Sequence, residues 1–200
     1  MTIFLILAPY GAFTFLMLMT SAAVSLFTAA CVCLAVIAID AWRGRSVKIL
    51  GAGSAILFAG IGLYLICIDH TLSPSAVKLA VDTGIFAISL GSMLLRFPFT
   101  LQYAIEAVPA ETAAMPGFLR ANYVITGAWT VAALLMMLAN AAVLYVPGLP
   151  IWSSLAIAFA ARNSAVYFTK WYPQYRKAKY GHCSGQTGPA RRHGLGTLSP

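Results

Sequence analysis

The chain is predicted to be all-α, a polytopic transmembrane helix bundle with five or six spans and a short interfacial amphipathic helix. Three observations carry that prediction. Of 200 residues, 60% are hydrophobic and only 9% are charged, whereas a soluble domain carries about 25% charged residues. The apolar residues come in stretches of about 20, the length that crosses a bilayer core. The basic residues gather at the ends of those stretches, on one side.

No charged residue precedes Asp40. That opening is too long for one span and enough for two at about 20 residues each, so helix 1 is placed over residues 3–20 and helix 2 over 21–41. Pro9 and Gly11 interrupt helix 1, which either spans or lies as a re-entrant or interfacial segment. The N-terminus has no basic n-region and the apolar stretch outruns a signal-peptide core, so no cleaved signal is expected. Helix 2 ends in Asp40, Trp42, Arg43, Gly44, Arg45 and Lys48. Helix 3 covers 49–68. The turn from Asp69 and His70 leads into Ser73, a natural N-cap, and Pro74, a natural first helical residue. Helix 4 covers 74–95 and stops at Arg96-Phe97-Pro98.

Residues 99–117 do not span, because Glu106, Pro109, Glu111 and Pro116 interrupt them. Over 99–108, Leu101, Ala104, Ile105 and Val108 fall on one helical face and Gln102 and Glu106 on another. That pattern suits an amphipathic helix in the interface or a polar loop. Helix 5 is placed over 122–145, a tight turn over 146–150 and helix 6 over 151–171. The domain organisation is a transmembrane domain, 1–172, and a basic tail, 173–200, whose polar, Gly- and Pro-rich composition predicts disorder.

Eleven of the thirteen Lys and Arg residues (Arg43, Arg45, Lys48, Arg96, Arg120, Lys170, Arg176, Lys177, Lys179, Arg191, Arg192) fall on one side, and the loops 69–73 and 146–150 hold none. The basic side is therefore expected in the cytoplasm, with the C-terminus, and the localisation is a bacterial inner membrane. Trp42 and Trp171 mark the inner interface and Trp152 the outer one. The net charge of +8 does not form a stripe interleaved with exposed aromatics, which argues against nucleic acid.

The two remaining cations, Lys78 and Arg162, lie within predicted spans, where ionisable residues are costly. Asp82 follows Lys78 at i+4, on the same face, and lies roughly 12 Å below the outer helix end. Arg162 falls close to the midplane of helix 6. One reading is a buried Asp82–Arg162 contact, joined by Asn163 or Lys78, lining a polar pathway. In the other, Lys78 and Arg162 snorkel to opposite interfaces and Asp82 pairs locally with Lys78. Lys170, Arg176, Lys177 and Lys179, with Tyr172, Tyr175 and Tyr180, suit contact with anionic lipid or a protein partner.

No cofactor, metal or catalytic site is expected. Cys31 and Cys33 diverge by about 200° on a helix and, like Cys67, are read as small apolar fillers. His182 and Cys183 are two ligands where structural zinc needs four. His70, His182 and His193 all lie outside the spans, away from any embedded haem. The sequence holds no phosphate-binding loop and no nucleophile elbow. The glycines at 51, 53, 60, 62, 84 and 91 are read as packing residues.

The order of these pieces resembles the intracellular septation protein A family of bacterial inner-membrane proteins. Five features carry the resemblance. They are Pro9 in a short first segment; the basic turn Trp42-Arg43-Gly44-Arg45 after a small-residue helix; the run from Gly62 to His70; the run from Arg96 to Gln102; and Asn122 with Trp129 and Asn140. The spacing of Asn122 and Trp129 and the long basic tail depart from the family pattern. The resemblance implies a non-enzymatic protein acting through contacts with other membrane proteins in envelope maintenance or cell division. An accessory subunit of a respiratory or photosynthetic complex, and a small transporter using Asp82 and Arg162, are the alternatives.

Overall fold

The computed structural model describes residues 2–180, and every regular element among them is helical. In chain order these are α1 Thr2–Met19, α2 Ala22–Trp42, α3 Ile49–Cys67, α4 Pro74–Leu94, α5 Phe99–Ala107, α6 Ala110–Ala113, α7 Pro116–Tyr145 and α8 Ile151–Tyr180. By length and composition, four are long and apolar enough to cross a membrane: α2, α3, α4 and α7. The prediction of five or six spans counted one or two more. The described apolar part of α1, Ala8–Met19, is shorter, and Arg162 and Asn163 lower the hydropathy of α8.

Local chemistry sets the corners. Thr20 and Ser21 turn the chain between α1 and α2, and the Ser21 hydroxyl accepts from the Val24 N–H at 3.4 Å. The predicted cap at Ser73 is present, its hydroxyl accepting from the Ala76 N–H at 3.2 Å, with Pro74 opening α4. α2 closes on Gly44 at φ 68°, where the N–H groups of Gly44 and Arg45 return to the carbonyls of Ala41 and Asp40. A left-handed residue closes a helix this way, and glycine does so without a Cβ clash. α4 ends in the same pattern with a non-glycine: Arg96 sits at φ 58°, and Arg96 and Phe97 return to Met93 and Ser92 at 3.0 Å.

Packing joins successive long helices: α1 on α2, α2 on α3, α3 on α4, α4 on α7 and α7 on α8. One apolar core gathers Tyr10 and Phe13, Leu26 and Cys33, Phe58, and Val77 and Val81 from α1–α4. A second joins Ala132, Ala133, Met136, Ala161 and Ala165 of α7 and α8, with Ile85 and Phe86 of α4 against it. α4 thus belongs to both cores. The row is open at its ends, because α8 has no extensive packing against α1. Some predicted packing glycines serve that purpose. A Cβ on Gly84 would lie 2.2 Å from the Leu57 side chain and one on Gly53 3.0 Å from Ile88, while Gly60 and Gly91 face open space.

Three features differ from the prediction. α7 starts at Pro116 rather than Asn122, with Pro in the first turn, where its missing N–H costs nothing. α8 continues through Pro173 to Tyr180, although disorder was expected from residue 173. The Trp171–Tyr175 ring stack, at 5.1 Å, bridges the proline, and Phe168 stacks on Tyr172 at 5.2 Å just before it. Arg176 then donates to the Gly117 carbonyl of α7. The predicted tail beyond residue 180, with Cys183, His182, His193, Arg191 and Arg192, lies outside the described residues.

The third difference concerns α5. It is a helix, as one of the two readings had it, but its polar side chains are taken up by protein partners. Gln102 and Glu106 bond to the α2–α3 turn while Ile105 stays 47% exposed. Amphipathic reasoning assigns polar groups to water, and here the protein supplies their partners.

Candidate functional site

Lys78, Asp82, Ser89 and Met93 recur along α4 at helical spacing, on one face. That face meets α7. The Asp82 carboxylate accepts a hydrogen bond from the Asn140 amide. Lower down, the Ser89 and Thr130 hydroxyls bond at 2.7 Å, and Thr130 also donates to the Thr126 carbonyl at 2.9 Å. At the basic end, Thr100 of α5 joins the Thr126 hydroxyl at 2.6 Å and the Asn122 carbonyl at 3.0 Å. Among the described residues no buried side-chain nitrogen or oxygen lacks a partner. The α4–α7 contact is therefore a polar seam in which each hydroxyl or amide is used across or along the helices. Such bonds fasten helices where lipid offers no hydrophobic drive between them.

The structure places the four predicted intramembrane residues differently from one another. Lys78 and Arg162 both act electrostatically on Asp82, so these three share one environment. None of them forms an ion pair within 4.0 Å among the described residues; the group holding Asp82 directly is Asn140. Asn163 stands apart, exposed on α8, with its amide bonded to the Phe159 carbonyl of its own helix at 2.7 Å.

A second polar cluster sits at the basic end. Lys48, counted from sequence as an interfacial cation, is only 5% exposed and lies 2.9 Å from Asp40 and 3.1 Å from Glu106. Arg45 adds a longer contact to Asp40 at 3.7 Å. The Gln102 side-chain oxygen accepts from the Ile49 N–H at 2.8 Å, and the Lys48 ammonium lies 5.3 Å from the centre of the Tyr103 ring. Burial pushes the Tyr103 phenol above its usual range, with Tyr10, Asp40 and Glu106 adding to the effect. The ring therefore stays neutral beside the ammonium. This cluster clamps α5 onto the α2–α3 turn. Above it, Tyr10 bonds to Ser54, and both line a small void of about 30 Å³ with Cys33 and Tyr103.

Of the predicted lipid-contact residues, Lys170 is exposed and Arg176 is bound to Gly117. Lys179 lies 3.4 Å from the Tyr175 hydroxyl. Nothing is described of the Lys177 side chain. In the α3–α4 loop, Asp69 accepts from the Thr71 hydroxyl and N–H at 2.6 and 2.9 Å, which holds its carboxyl below the usual carboxylate range. A groove of about 540 Å³ between α7 and α8 is lined by Ala128, Ala132, Leu135, Ala160, Ser164 and Phe168, among others.

Sequence reasoning missed two functional parts. Asn140 carried no signal as the Asp82 partner, because a lone amide in an apolar helix has no period and its partner is 58 residues away. The Asp40–Lys48–Glu106 cluster was readable in part, since Asp40 and Lys48 flank a glycine turn. Compared with known proteins, the chain matches no family model, no curated sequence and no solved structure.

Proposed function

We propose that this is a six-span protein of the bacterial inner membrane, its C-terminus in the cytoplasm, acting without catalysis through contacts with other membrane proteins in envelope maintenance or cell division. The observation that carries the contact-based reading is the α4–α7 seam. Asp82, Ser89, Thr100, Thr126 and Thr130 spend their polar atoms on one another and on Asn140 and nearby carbonyls. A static joint suits a scaffold better than a transport path. Three features support six spans. α1 packs along α2 through a two-residue turn, its 18 residues reach about 27 Å, and a bilayer core is about 30 Å thick. α8 packs along α7. Trp42 and Trp152 are 91% and 70% exposed near helix ends, where amphipathic rings anchor. The family resemblance supplies the envelope and division role.

The test is purification in a mild detergent after crosslinking in intact cells. The reading expects a stoichiometric complex with envelope or division proteins, and a deletion strain with altered cell length or envelope permeability. Copurifying cofactor-bearing subunits, or Asp82-dependent solute flux in proteoliposomes, would overturn it. Single-cysteine labelling at Gly148 and Lys179 tests the topology: Gly148 reacts from outside and Lys179 only after permeabilisation.

A further inference from the structure

α8 ends the row of helices. It packs along α7 and has no other extensive packing among the described residues. Its Ala161 and Ala165 are buried in the core shared with α7. Away from that contact, Ala156, Ala160, Asn163 and Tyr167 are all exposed. They recur at i, i+4, i+7 and i+11, so they form one face. Asn163 follows Ile151, the first residue of α8, by about 18 Å of helix rise, near the middle of a bilayer core about 30 Å thick.

The Asn163 amide is only partly used. One N–H goes to the Phe159 carbonyl of its own helix at 2.7 Å, and the side chain makes no further hydrogen bond among the described residues. A primary amide carries two donors and an acceptor oxygen, so one N–H and the oxygen remain on an exposed face. Lipid tails supply neither a donor nor an acceptor, and amides within a membrane bond across helices. Ala156 and Ala160 are small enough to let a second backbone come close. One donor with one acceptor is a self-complementary set. Two copies of this chain insert with the same side inward, so the axis relating them is the membrane normal. Across a two-fold interface a residue on that axis meets its own counterpart, at the same depth. Asn163 then meets a second Asn163, each N–H donating to the other's oxygen.

We propose that the Ala156–Ala160–Asn163–Tyr167 face of α8 is a homodimer interface, occupied by a second copy of this chain, with a reciprocal Asn163 amide pair at its centre. The proposal rests on the contact-based reading with α8 as a span, and deepens it by naming one partner and the bond that holds it.

The test uses the full chain, labelled with donor or acceptor dye, in phosphatidylcholine vesicles of increasing lipid-to-protein ratio. Energy transfer between copies is expected to fall with dilution as a two-body equilibrium. Asn163→Leu is expected to weaken association about tenfold, the order of an interhelical polar contact in a membrane. Asn163→Gln keeps the amide and retains most of the association. The side chain bonds only within its own helix, so helix content and unfolding of the detergent-dispersed monomer stay unchanged, which is the folding control. Under oxidation Ala160→Cys crosslinks two copies, whereas Ala158→Cys, packed against the α7 core, does not. Absence of transfer in the wild-type chain overturns the proposal. Undiminished association of Asn163→Leu overturns it too, as does crosslinking through Ala158→Cys in preference to Ala160→Cys. Labelling at Gly148 and Lys179 reads the span assignment separately. Opposite sides with no transfer removes the dimer alone, and labelling from one side removes both.

Discussion

The carboxylate of Asp82 on α4 is held by the amide of Asn140 on α7, 58 residues further along the chain. The bond ties the first half of α4 to the last third of α7 and gives Asp82 a donor. Asn140→Leu removes that donor and leaves the carboxylate without its hydrogen bond. It is expected to destabilise the bundle by about 1–3 kcal/mol, the cost of stranding a buried polar group. Asp82→Asn keeps a bonding partner and sheds the charge, so it is expected to insert and fold normally. Unfolding in detergent for both variants and their double mutant measures the difference. A larger loss from Asp82→Asn than from Asn140→Leu would contradict this account.

At the basic end, Lys48 neutralises Asp40 and Glu106 together. Lys48→Met leaves two carboxylates with Arg45 as the nearby cation. Because Asp40 and Glu106 are 15% and 25% exposed, solvent screens part of the cost, and about 1–3 kcal/mol is expected rather than the full price of a broken buried pair. The loss should be local. Hydrogen exchange across α5 should accelerate, and the added changes Asp40→Asn and Glu106→Gln should restore protection.

The close approach of α3 and α4 depends on Gly84. Its Cβ would come within 2.2 Å of Leu57 Cδ1 and 2.9 Å of Leu57 Cγ, too deep into the side chain for a terminal methyl to swing aside. Gly84→Ala is expected to cost about 1–3 kcal/mol through overpacking, and Leu57→Ala in the same chain should recover part of it. Thermal unfolding of the single and double variants checks this.

Arg96 holds a left-handed conformation, with φ 58°, at the end of α4. For a residue with a Cβ that conformation costs roughly 1–2 kcal/mol. Arg96→Gly is expected to stabilise the folded chain by about 1 kcal/mol while removing one cation from the end of α4. Unfolding measurements read the first effect, and the labelling pattern at Gly148 reads any loss of orientation.

Asp69 in the α3–α4 loop has a carboxyl held low by Thr71. A depressed folded pKa means the loop gains stability above the ordinary carboxylate pKa and loses it as pH falls through the lower folded value. Thr71→Ala should move the Asp69 titration up towards its usual range, as seen by carboxyl carbon shifts, and remove that acid dependence.

Much of the bundle was legible because lipid imposes a length and a polarity rule that a single sequence displays. The placements of α2, α3 and α4 follow from it, as does the Ser73–Pro74 start. What was not legible depends on partners far along the chain. Continuation of α8 past Pro173 relies on ring stacking and on Arg176 meeting Gly117. The pairing of Gln102 and Glu106 relies on the Ile49 N–H and Lys48. Asp82 and Arg162 stood out because charge in lipid is conspicuous, whereas Asn140 did not, because an amide among apolar residues is not.

The double membership of α4 bears on how the chain is built. Its first core draws on nothing beyond Ile85, so α1–α4 can close while later segments are still emerging from the ribosome. Until α7 arrives, however, the face bearing Asp82 and Ser89 has no mate. During synthesis that face is a waiting surface, and the interval before Asn140 inserts is when the nascent chain most needs protection by the insertion machinery.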